Sequence, residues 1–160
     1  MTAPAVRLGA PVVPDRPAGV SVATFLLSGA AAFWLAAAIA TLFAIPQYAR
    51  HVQDVEQNPD AGTGATVLLA LFAFVAVSGA VIAILLAVFD AHGRTTARIL
   101  TWVYAGLTVC VATVILLADP FTGVLWHHWL SLGVAVLTLA LTVAVTVLLA
   151  LPVATRYYRT

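Results

Sequence analysis

Long apolar stretches alternate with short polar ones along this chain, and the charged residues mark the borders. Between them lie four uncharged segments, 17–49, 61–89, 99–118 and 120–155, of 33, 29, 20 and 36 residues. An apolar run of about 18 residues or more is long enough to cross the hydrocarbon of a bilayer as a helix. The pattern therefore predicts four transmembrane helices, at about 20–45, 66–89, 99–118 and 130–151, forming one all-α domain over 20–151. A Pro-rich tail, 1–19, precedes it, and a basic and aromatic tail, 152–160, follows it. The spacing of prolines before the first apolar residue does not resemble a cleaved signal peptide.

The polar borders carry their own punctuation. Pro46 marks the end of the first span or a kink in it. The segment QYARHVQDVEQ, 47–57, has Tyr48, Val52 and Val55 at helical spacing, so the helix is expected to resume there beyond the bilayer or along it. Asn58, Pro59, Gly62 and Gly64 should then break it. Gly93 is the expected turn between the second and third spans. Asp119 followed by Pro120 reads as a helix start, so 119–129 would be a short interfacial helix or the early beginning of the fourth span. Pro152 ends the last one.

Composition sharpens this picture. The chain is 63% apolar and 8% charged, with a mean hydropathy of +1.08. A soluble domain carries roughly 25% charged residues and less than half apolar ones. A soluble enzyme, a nucleic-acid binder and a disordered chain are thereby excluded. The single cysteine, Cys110, lies within an apolar run, so the chain can form no internal disulfide.

Arginine placement predicts an orientation. With both termini and the 90–98 loop in the cytoplasm, Arg7, Arg16, Arg94, Arg98, Arg156 and Arg159 lie inside and only Arg50 outside, as the positive-inside rule requires. Trp102, Tyr104, Tyr157 and Tyr158 would anchor the inner interface, and Tyr48, Trp126 and Trp129 the outer one. The arginine groups 94/98 and 156/159 orient the chain and suit anionic lipid headgroups. Asp90, at the carboxyl end of its helix, opposes the helix dipole and should pair with Arg94 or Arg98.

Candidate chemistry is sparse. No span carries an ionisable residue well inside its apolar run, whereas ion-coupled transporters keep one near midplane. Thr138, Thr142 and Thr146 recur every four residues and would pack helices together or line an oligomeric pore. Ser28 with Ala32, Gly79 with Ala83, and Gly106 with Cys110 are further small pairs at the same spacing. Outside the bilayer, His51, Asp54, Asp119, His127 and His128 would form a metal site if the two outer loops meet. Adjacent histidines on a helix point about 100° apart, which opposes chelation by the pair, and the flanking tryptophans make the pair an ordinary interface anchor. No cofactor is implied.

Two stretches, GRTTARILTWVYAGL (93–107) and LLALPVATRYYR (148–159), resemble small four-span membrane proteins of actinobacteria that have a Pro-rich amino-terminal tail. The resemblance implies an actinobacterial inner-membrane protein and supplies no catalytic residue. The expected role is non-enzymatic: an accessory subunit or scaffold working through helix contacts with its own copies or another membrane protein. A homo-oligomeric pore lined by the threonine row is the alternative. A membrane enzyme or metal site at the outer loops ranks below both.

Overall fold

The computed structural model describes residues 17–118, 121–152 and 154. They form four helices, α1 (Ala18–Glu56), α2 (Pro59–Ala91), α3 (Thr95–Ala118) and α4 (Leu125–Ala150), all long and apolar enough to cross a membrane. The chain is an all-α, polytopic membrane protein built as a four-helix bundle. Each helix touches its two neighbours in a ring, α1–α2–α3–α4–α1, with the α1–α2 seam the most extensive and the α2–α3 seam the least. The start of α1, the α2–α3 turn and the end of α4 share one end of the bundle, called here the near end. The α1–α2 and α3–α4 connections form the far end.

The long first hairpin departs from the sequence reading. Pro46 neither ends nor divides α1, which runs 39 residues, roughly 58 Å at 1.5 Å per residue. Proline removes one backbone hydrogen bond, but Pro46 is exposed, while Ala44 and Tyr48 on either side of it are buried and hold the helix against its neighbours. α1 closes at Gln57 in the left-handed conformation (φ 52°). The break at Asn58 and Pro59 is a helix start: the Asn58 side chain caps the Asp60 N–H at 3.0 Å, and Pro59 takes the first helical position, where a missing N–H costs no bond. Gly62 and Gly64 lie inside α2 instead of breaking it. Gly93 does turn the chain, at φ 69°. No separate helix forms at 121–124, which is a turn leading directly into α4. Asp119 and Pro120 lie outside the described residues.

A register not read from the sequence explains the packing. In α1 the buried positions Val20, Ala23, Leu27, Ala30, Trp34, Ala37, Thr41, Ala44 and Tyr48 alternate steps of three and four. In α2, Leu69, Ala73, Ala76, Ala80, Ala83, Ala87 and Asp90 do the same. That is the 3.5-residue period that winds helices into a left-handed supercoil. Alanine at so many inward positions lets the two backbones approach closely, which replaces the hydrophobic drive that lipid cannot supply. The large side chains face out: Phe25, Phe43, Phe74 and Leu117 are among the most exposed residues. In water such a surface would aggregate; in lipid it is the solvent-facing one.

The interior splits into two apolar clusters. One, toward the near end, gathers Val20, Leu27, Trp34, Ala80, Leu86 and Leu149. The other, toward the far end, gathers Tyr48, Leu69, Ile115, Phe121, Val124 and Ala135.

Candidate functional site

The far end is assembled on the 121–124 turn. Phe121 is buried, and its carbonyl accepts a 2.5 Å hydrogen bond from the Tyr48 hydroxyl. Gly123 lies so close to α1 that a Cβ there would stand 2.8 Å from His51 Cδ2 and 3.1 Å from Tyr48 Cε1. No larger residue fits without displacing those rings. The turn thus seals the end of α1 and feeds the chain into α4 with its first turn pressed inward. Trp126 fastens the same junction from outside, donating to Gln47 Oε1 at 2.9 Å.

This geometry carries His127 into the bundle, where it is 1% exposed. Its ring meets Tyr48, Phe121 and Trp126 edge-on, with centroids 5.7, 4.9 and 5.6 Å away. Nε2 lies 3.1 Å from Thr41 Oγ1. Thr41 donates its only hydroxyl proton to the Ala37 carbonyl at 2.8 Å. The proton between Thr41 and His127 must therefore come from the imidazole, which assigns the Nε2–H form to the neutral ring. Nδ1 is then an acceptor, and it is buried without a hydrogen-bond partner.

Below His127 an internal crevice descends between the helices, with Trp34, Thr41, His127, Ser131 and Thr138 on its walls. Ser131 donates to the His128 carbonyl at 2.8 Å and keeps its oxygen lone pairs. Thr138 Oγ1 is buried and unpartnered. The remaining walls, from α2 and α3, are apolar.

The other predicted site residues separate. The two far-end connections meet, with His51 beside Gly123, but the histidines diverge. His127 points inward, His51 and Asp54 are exposed, and the ring of His128 lies 5.1 Å from that of Trp129. Among the described residues no three His, Cys, Asp or Glu side chains come together. His127 is thus no interface anchor, because the 121–124 turn rotates it away from lipid. Tyr48, 6% exposed, and Tyr104, half-buried with its hydroxyl on the Gly79 carbonyl at 3.1 Å, are interior residues too, not interface anchors.

In the threonine row, Thr138 and Thr142 are buried within the single chain, and half-buried Thr146 donates to the Thr142 carbonyl at 2.9 Å. At the near end, Asp90 is buried and accepts a 2.7 Å bond from the Thr101 hydroxyl. The Arg94 and Arg98 guanidinium groups lie over the Phe89 and Trp102 rings at 5.6 and 5.2 Å. Arg156 and Arg159 lie outside the described residues. Thr101→Val keeps the shape and removes the donor to a buried carboxylate. It is expected to destabilise the bundle by about 1–3 kcal/mol, read as a lower SDS fraction at half-unfolding; an unchanged midpoint would show that the bond contributes nothing.

Sequence reasoning missed Trp34, Thr41 and Ser131. The signal for the first two was present in the three-four spacing of α1, which aligns them with Ala37 and Ala44. Comparison with protein-family models, curated proteins and solved structures finds no match for this chain.

Proposed function

We propose that this protein is a non-enzymatic component of a bacterial cytoplasmic membrane, an accessory subunit or scaffold that works through helix contacts. The observation supporting it is where small residues are left on the outside. Ser28, Ala32 and Ala36 are exposed at four-residue intervals on α1, and Gly106, Cys110 and Thr113 form an exposed row on α3 at steps of four and three. A Cβ at Gly106 would meet nothing within 4 Å. Most of the remaining lipid face is Leu, Val, Ile and Phe, so these two rows are where a partner backbone would approach. The native Cys110 makes the α3 row testable without engineering. A thiol-specific bifunctional reagent applied to native membranes is expected to give a discrete cross-linked species through Cys110, and exclusive recovery of monomer would count against contacts there.

The pore reading is weaker, because Thr138 and Thr142 turn into the bundle of one chain. The proposed orientation puts the near end in the cytoplasm, supported by the arginine bias, and the resemblance of the 93–107 and 148–159 stretches supports an actinobacterial source. A reporter fused after Thr160 is expected to read as cytoplasmic; an external reading would reverse the orientation.

A further inference from the structure

The crevice beneath His127 pairs two kinds of buried group that do not satisfy each other. His127 Nδ1 is an acceptor with no donor, since its Nε2–H is committed to Thr41. Thr138 Oγ1 has neither donor nor acceptor partner. These residues stand eleven positions apart on α4, roughly 16 Å along the helix axis, too far to reach each other. Between them Ser131 offers free lone pairs, and Thr41 closes the upper end. The space within has room for about one bound water. A dry cavity in a membrane bundle is lined by hydrocarbon alone; a polar one with orphaned groups is where buried water resides.

We propose that this crevice is an internal hydration site, in which one water donates to His127 Nδ1 and to the Ser131 hydroxyl oxygen one turn along α4, making His127 a buried hydrogen-bond acceptor served by water. The groups facing the ring fit that role. α1 presents Thr41 and Tyr48, the turn presents Phe121, and α4 presents Trp126 and Ser131. α2 and α3 add only Phe72, Ala112 and Ile115 to the crevice. Tyr48 is the one titratable group among them, and its hydroxyl proton is committed to the Phe121 carbonyl. The hydroxyl protons of Thr41 and Ser131 are committed to carbonyls, and the unpartnered Trp34 N–H stands two helical turns from Thr41, so water is the donor left for Nδ1. The site is independent of the partner contacts proposed above, since it lies wholly inside one chain.

Nitrogen-15 NMR of histidine-labelled full-length protein in nanodiscs tests it, with His127→Gln identifying the His127 signals. The expected result is a ring protonated at Nε2, with magnetisation transferred from water to the His127 ring. A ring protonated at Nδ1 alone, or no transfer to the ring, would overturn the proposal. Ser131→Ala removes the hydroxyl oxygen that holds the second proton of this water. It should reduce transfer to His127 by about twofold or more while leaving the Nε2–H form in place. Undiminished transfer would mean that water reaches the ring by another route, and the crevice would lose its role.

Discussion

Ala76→Leu is expected to destabilise the bundle by about 3 kcal/mol, at the upper end of what overpacking a filled core costs. Ala76 is fully buried in the α1–α2 seam, which is the most extensive contact in the molecule. Three added carbons have no space between two backbones spaced by alanine, so the helices must part locally. Parting them also breaks the supercoil register on either side, at Ala73 and Ala80. The control lies next to it: Val77 is 42% exposed to the lipid face, and Val77→Leu should change stability by less than about 0.5 kcal/mol. Far-UV circular dichroism against SDS mole fraction would read both. Equal midpoints for the two variants would refute the close-packed alanine seam and leave α1 and α2 held by their connection alone.

The number and kind of helices are legible in the sequence because lipid leaves the chain few choices. A backbone crossing hydrocarbon must satisfy itself, so uncharged runs of sufficient length become helices whatever else they contain. The helix ends are harder to read. Asn58 and Pro59 signal a break, yet the same two residues serve equally to start a helix, and only packing decides which. Pro46 signals an end because proline is costly in isolation; buried Ala44 and Tyr48 on either side of it outweigh that cost. The inward face is legible in principle. Alanines at 73, 76, 80, 83 and 87 announce a seam, but in a chain so rich in alanine the four-residue pairs and the threonine row stand out more than a three-four alternation does.

The candidate site is less legible for a different reason. His127 is a candidate by residue type, but beside Trp126, His128 and Trp129 it reads as interfacial. Its inward turn depends on Gly123 approaching α1 closely enough to admit no Cβ, and on the Tyr48 hydroxyl reaching the Phe121 carbonyl. Both contacts join residues more than seventy positions apart, and local spacing carries no trace of them. The absence of midspan charge remains true of the apolar runs themselves. What changes is its meaning, because the fold places an imidazole in the interior from the first turn of α4, just ahead of the span expected at 130–151.

His127→Ala is expected to cost about 3–4 kcal/mol, the range for removing a buried aromatic ring. The loss combines three edge contacts, with Tyr48, Phe121 and Trp126, and the bond to Thr41. Thr41→Val separates the two contributions. It keeps the shape beside the ring and removes the acceptor, together with the hydroxyl's bond to the Ala37 carbonyl, leaving the Nε2–H buried and unpaired, for about 1–2 kcal/mol. Because both substitutions remove the same hydrogen bond, the double variant should be less destabilised than the sum of the singles, by about 0.5–1.5 kcal/mol. Additive costs would mean that Thr41 and His127 are neighbours without a bond, and the Nε2–H assignment would fall with it. A His127→Ala cost below about 1 kcal/mol would say more: that the ring is not enclosed, and that the 121–124 turn does not press the start of α4 into the bundle.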